Sequence, residues 1–252
     1  MSHGHSEFEA TSLFQSDELL KSVDRSWGKA ASSESIERTK KALETKGHKV
    51  HVAKNGSLAL DIIKGLLTKG ASVYNVSSMT LQEIGYVDWI KTAGSDYDNL
   101  QEKIVAEKDW GKQGELRRLA MTADYYLTSA SAVSETGELV IVDASGSRVG
   151  GLPFSAKNGK KKTLIPNVNV FDCFQISTKL VIYVIGSNKI TKDLETARRR
   201  THDYALSLES ARARIVYKVP ASQISNELIV HSGSPYAPGR AHVIIIEESH
   251  GY

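Results

Sequence analysis

Three charged side chains in the chain stand where turn chemistry meets strand ends: Glu135 in "SETG", Arg148 in "DASGSRV" and Lys189 in "GSNKITKD". A carboxylate such as Glu135 at a strand end can accept a proton or hold a ligand hydroxyl, with Thr128 and Ser129 beside it. The other reading of the same residues is a hairpin turn in which Gly137 supplies a positive φ. The small residues of "DASGS" can present backbone N–H groups to a phosphate or carboxylate while Arg148 adds a forked, charge-assisted contact. An ordinary hairpin loop with a solvated arginine fits them as well. Lys189 follows a strong strand and precedes a helix, so an anion could meet its ammonium group and the free N–H groups of the helix start. Alternatively, Asn188 and Thr191 only shape the turn.

Other chemistry has less to work with. Cys173 is the only cysteine, which leaves no intrachain disulfide and no iron–sulfur or zinc site built from several thiolates of this chain. Lying between hydrophobic residues, it reads as a buried, inert thiol. The eight histidines show no helical H-x-x-x-H pairing, so no metal site is expected. "KNGKKK", Lys157 and Lys160 to Lys162, reads as solvated loop charge, and "ARRR", Ala197 to Arg200, as the outer face of an amphipathic helix.

These residues must be positioned by a layered α/β chain. "SIERTKKALETKG" is helical, "HKVHVA" strand-like, and "NGSLALDIIKGLLTKG" a capped helix closing on Gly70. "ASVYNV" predicts a strand and "SSMTLQEIG" a short helix that Ser78 or Thr80 caps. Such strand-to-helix junctions are where open α/β sheets bind ligands. A helix over about 113–121 leads into the strand "ADYYLTSA", which pairs as a hairpin with "ELVIVD". "KLVIYVIG" is the strongest strand and runs directly into a long amphipathic helix from "SNKITKD" onward, with Leu194, Ala197, Tyr204, Ala205 and Leu208 on one face. "ARIVYKVP" and "RAHVIIIEES" are expected as two late strands.

The 252 residues suit one main domain, 35–252, preceded by an N-terminal arm, 1–34. A net charge of +3 spread along the chain, without aromatic interleaving, speaks against nucleic-acid binding. With no apolar run of spanning length and a polar N-terminus, a cytoplasmic protein without a membrane segment is expected.

"GASVYNVSSMTLQEIG", "ADYYLTSASAVSETGELVIVDASGSRV", "KLVIYVIGSNKITKDLETARRR" and "YAPGRAHVIIIEE" together resemble, in order and spacing, the lactate-utilisation (LUD) domain family of LutC/YkgG-like proteins, over roughly residues 36 to 248. The resemblance implies a three-layer α/β/α sandwich with a mainly parallel sheet, related to the NagB/RpiA/CoA-transferase folds. It implies a role in lactate or other organic-acid utilisation beside a partner subunit that carries the iron–sulfur clusters, since this chain holds no such cofactor itself. The expected ligand is a small anionic metabolite, lactate-like or phosphorylated, lined by Ser78, Thr80, Thr128, Ser129, Gly137, Arg148 and Lys189. Homo-oligomerisation is left open. The main alternative is a self-sufficient isomerase or acyl-CoA transferase with Glu135 as base or nucleophile. Another is an interaction protein acting through its arm and basic loop. One departure stands out: where the family is glycine-rich after the second strand, this chain reads Asn75, Val76, Ser77, Ser78.

Overall fold

Short runs of β-branched and aromatic residues, bounded by turns, become the strands of a parallel sheet. The computed structural model describes residues 18–152, 180–235 and 237–252. Six strands, Lys49–Ala53 (β1), Ser72–Asn75 (β2), Asp98–Asn99 (β3), Tyr125–Thr128 (β4), Leu180–Gly186 (β7) and Ala241–Ile246 (β10), form one sheet in the order β1-β10-β7-β4-β2-β3. All its neighbours are parallel, with Tyr126 opposite Val181 and Ile244 opposite Val184. A second sheet of Ala132–Ser134 (β5), Leu139–Asp143 (β6), Ile190–Thr191 (β8) and Asn226–Val230 (β9) runs β8-β5-β6-β9.

Alternation along each parallel strand divides its side chains between two cores. Tyr126, Val181, Tyr183, Val243 and Ile245 pack on one face with Ile36 and Leu43 of helix Ser33–Thr45 (α1) and with the second sheet. Tyr125, Leu127, Ile182, Val184 and Ile244 pack on the other with Ala59 and Ile63 of Gly56–Leu66 (α2), Leu81 of Met79–Glu83 (α3) and Ile90 of Tyr86–Thr92 (α4). The result is the expected three-layer α/β/α sandwich.

Local signals place the element starts well. Ser32, Asn55, Ser78 and Asp193 each accept a backbone N–H as helix N-caps, and Gly47 and Gly70 follow helices at φ +85° and +77°. Residues 18–34 are packed onto the body: Leu20 is buried with Tyr204, Leu208 and Ala211, and Trp27 lies against the same cluster. Among the described residues, no helix is long and apolar enough to cross a membrane.

Four expectations are corrected. Tyr125–Thr128 does not pair with Leu139–Asp143; β4 is central in the parallel sheet, and β6 pairs antiparallel with β5 and β9. Ser129–Ser131 carries the chain from one sheet to the other, which a hairpin would forbid. "ARIVY" is helix, the end of Leu206–Tyr217 (α8), because Ala211, Arg212 and Ala213 are buried against neighbouring elements and packing overrides the β-branched bias. The late strand before β10 is instead β9, in "NELIV". The helix after β7 does not begin at once: a tight turn over Ser187–Lys189 and β8 come first, and Leu194–Arg200 (α7) passes through a π-turn at Thr201–Ala205 into α8. The polar region 94–118, read without elements before 113, contains helices Leu100–Ala106 (α5) and Trp110–Ala120 (α6). Cys173 and the basic loop with Lys157 and Lys160 to Lys162 lie outside the described residues.

Candidate functional site

The carboxyl ends of β2, β4 and β7 open onto a cavity of about 210 Å³, the position at which open α/β sheets hold ligands. Its walls come from the segments that follow those strands: Ser78 after β2, Ser129 after β4 and Lys189 after β7, with Arg148 from the loop after β6. Four of the residues expected in a site thus share one cavity.

Lys189 is 3% exposed, the one buried lysine among the described residues. Its Nζ donates to Thr80 Oγ1 at 2.9 Å and Ser129 Oγ at 3.1 Å. Burial, reinforced by the Arg200 and Arg148 charges, pushes its pKa well below the usual lysine range, against the opposing pull of Glu83. Thr80 is fully buried and also donates to the carbonyl of His250. Thr128 is buried next to Ser129, with Oγ1 on the Ser129 carbonyl, and is not part of the cavity lining.

Arg148 is held over the cavity by a carboxylate that the sequence reading left out. Asp143 accepts the N–H groups of Gly146 and Arg148 at 2.8 Å and of Val149 at 2.9 Å, together with Asn226 Nδ2. The nest expected to receive an anion is therefore filled by the chain's own Asp143. What Arg148 offers is its side chain, which donates to Ser77 O at 2.6 Å and contributes to the cavity wall. Tyr126 steadies the loop by donating to the carbonyls of Ser147 and Arg148. Its ring lies so close to Gly151 that a Cβ there would come within 2.5 Å.

Arg200, read as part of an outward helix face, is fully buried. Its guanidinium donates to Ser131 O at 2.6 Å, Asn188 O at 3.0 Å and Trp27 O at 3.3 Å, tying three segments together behind the cavity. Helical spacing from Ala197 to Tyr204 was the signal that puts position 200 inward. Among the described residues, Lys189, Arg148 and Arg200 have no carboxylate ion-pair partner, whereas Arg212 at the cavity edge is paired with Glu209.

The segment 249–252 closes one side. Gly251, at φ +60°, donates to Glu83, and a Cβ on it would come within 2.6 Å of Thr80 Oγ1 and 3.1 Å of Lys189 Nζ. Asn188 clasps this segment through His250 N and Gly251 O. Burial opposes protonation of His250, but its contacts to Glu83 and Glu248 prevail and raise its pKa.

Glu135 and Gly137 are elsewhere. The Glu135 carboxylate is gripped by Arg38 Nε at 2.7 Å and Nη2 at 3.0 Å and by Ser35 Oγ, all from α1, and it does not line the cavity. The Arg38 contact holds its pKa below the usual range. Gly137 makes the turn between β5 and β6 at φ +90° against the backbone of Ala42. At the helix start expected beyond Lys189, the N–H of Thr196 in α7 is taken by Asp193, 2.7 Å away.

Comparison with curated proteins finds no match. Among solved structures, the crystal structure of a DUF162 family protein from Deinococcus radiodurans is similar over 85% of this chain and 96% of that chain, with 12% sequence identity and a TM-score of 0.43. The family model of the LUD domain matches residues 36–158, a span that includes Ser78, Thr80, Ser129 and Arg148 and stops short of Lys189. Over residues 36–158, then, this chain is similar to the LUD domain family.

Proposed function

We propose that the cavity at the sheet's carboxyl edge binds a small organic-acid anion, and that the chain serves as a ligand-binding subunit or accessory factor in lactate or related organic-acid utilisation. The observation that carries this reading is that Arg148 and Lys189, neither ion-paired among the described residues, line one cavity with the hydroxyls of Ser78 and Ser129. At about 210 Å³ it suits a metabolite of a few heavy atoms better than a nucleotide or an acyl-CoA. The LUD family is linked to lactate utilisation at family level, which agrees with a carboxylate ligand. Under this reading the electron-transfer chemistry belongs to an iron–sulfur oxidoreductase partner, and the relation to the NagB/RpiA/CoA-transferase folds is one of architecture. Glu135 gives the self-sufficient enzyme little support, because a carboxylate held by Arg38 and Ser35 is a weakened base outside the cavity.

Isothermal titration with lactate, pyruvate, a phosphorylated sugar and a CoA ester tests the proposal. The small acids bind, and Arg148→Met weakens them about 10- to 100-fold, as expected for one charge-assisted contact of about 1.5–3 kcal/mol. Absence of binding by every small anion overturns it.

A further inference from the structure

We infer that Lys189 is a covalent site whose amine condenses with the ketone carbon of a small 2-oxo acid seated in the cavity. The inference rests on the anion-binding reading above and narrows it from small acids in general to those with a carbonyl next to the carboxylate.

An interior lysine that serves as a charge is ordinarily matched by a carboxylate. Lys189 is met by two neutral hydroxyls, Thr80 Oγ1 and Ser129 Oγ. The charges that act on it from neighbouring elements are Arg200 on α7 and Arg148 on the loop after β6, both cationic, and Glu83 on α3, whose carboxylate is engaged by Gly251 N and His250. Desolvation and two like charges outweigh one carboxylate, so the pKa of the amine is pushed well below the usual lysine range and its neutral form is favoured relative to that of an exposed lysine. A neutral amine with its two N–H groups on those hydroxyls retains its lone pair. This is the state a lysine needs to act as a nucleophile at neutral pH.

The surroundings supply the remaining parts. Arg148 lines the same cavity and offers a guanidinium for a carboxylate. In a 2-oxo acid the electrophilic carbon is bonded directly to that carboxylate, so one short ligand can satisfy both residues. As the N–C bond forms, the carbonyl π pair moves to oxygen, which takes a proton, and the nitrogen gives one up. The C–O bond of this carbinolamine then breaks, the hydroxyl takes the proton still on nitrogen and leaves as water, and the nitrogen pair completes the C=N bond. No electrons are gained or lost overall. The Thr80 and Ser129 hydroxyls, already hydrogen-bonded to the nitrogen and 3.4 Å from each other, can pass those protons. Lactate, with a hydroxyl carbon at that position, binds without reacting.

The test is to incubate the full chain with pyruvate at neutral pH, reduce with sodium borohydride and map the modified peptides by mass spectrometry. The inference predicts stoichiometric modification at Lys189, prevented by excess lactate, lost in Lys189→Met and slowed about tenfold or more in Arg148→Met. Mapping on the unmodified chain and on Arg148→Met decides the matter even if Lys189→Met does not fold. If pyruvate binds by calorimetry and lactate displaces it, yet no adduct appears at Lys189, the covalent inference is overturned while anion binding stands. Adducts confined to exposed lysines overturn it equally. If neither acid binds and Lys189 is unmodified, both readings fall.

Discussion

Replacing Arg200 with methionine tests how the cavity is held together. The substitution keeps an unbranched stem in a fully buried position and removes the guanidinium that donates to Ser131 O, Asn188 O and Trp27 O. Leaving a buried acceptor without its donor costs about 1–3 kcal/mol, so three carbonyls amount to about 3–9 kcal/mol before compensation. Burial pushes the Arg200 pKa down from 12.5 to about 10, which marks a charge held at a cost; removing it returns about 3 kcal/mol. The balance is a loss centred on about 3 kcal/mol within a span of about 0–6 kcal/mol. With a urea dependence of about 3 kcal/mol per molar for a chain of this size, the unfolding midpoint moves down by about 1 M. Equilibrium urea unfolding followed by tryptophan fluorescence and circular dichroism measures this. A midpoint that moves by less than about 0.3 M would refute the view that Arg200 ties three segments behind the cavity.

Further expectations concern charge and backbone. Burial opposes ionisation of Glu138, but Lys46, Ser134 and Thr136 overcome it and hold its pKa at about 2, below the usual 4.5. Its stabilising contribution is therefore present above about pH 4.5 and disappears as pH falls toward 2; Lys46→Met should move acid unfolding to higher pH, and an unchanged acid midpoint would count against the pair. Lys189 behaves with the opposite sense: its folded pKa lies below 10.5, so the unfolded chain binds more protons and stability rises with pH through that window. Lys189→Met should flatten the rise in an unfolding series carried into the alkaline range. Gly137→Ala places a Cβ 3.0 Å from the Ala42 carbonyl carbon at φ +90° and should cost about 1–3 kcal/mol in urea unfolding while leaving anion affinity unchanged. Glu135→Gln loosens the contact to α1 and should lower the thermal midpoint slightly without affecting calorimetric binding of lactate; a loss of binding would return Glu135 to the site.

The layered fold was legible because its signals are local. Apolar strands bounded by turns, and side-chain caps at Ser32, Asn55, Ser78 and Asp193, need no distant partner to be read. Pairing was harder. β4 and β6 are adjacent in sequence, and only the burial of β4 between β2 and β7 separates a central parallel strand from a hairpin arm. "ARIVY" carries a β-branched bias that Ala211 and Ala213 packing overrides. Ser78, Ser129 and Lys189 line the cavity because they follow strands of the parallel sheet at its carboxyl edge, and Arg148 reaches it from the loop after β6 of the second sheet. Glu135 follows a strand of the second sheet, and its nearest cation, Arg38, lies 97 residues earlier, which no local pattern reveals. The DASGS loop failed as an anion nest for a related reason: the acceptor was inside the motif, at Asp143. Arg200 is the instructive omission, since three arginines in a row suggested an exposed face although the helical period around Ala197 and Tyr204 pointed one of them inward.

The central claim, that one cavity brings Arg148 and Lys189 onto a shared small acid, is tested most directly by a crystal structure of the full chain grown with lactate. The account predicts a lactate carboxylate within hydrogen-bond distance of the Arg148 guanidinium, with Lys189 Nζ and the Ser129 hydroxyl on the same molecule. An ordered lactate bound at Glu135 and Arg38, or anywhere else while the cavity beside Lys189 holds only water, would contradict it.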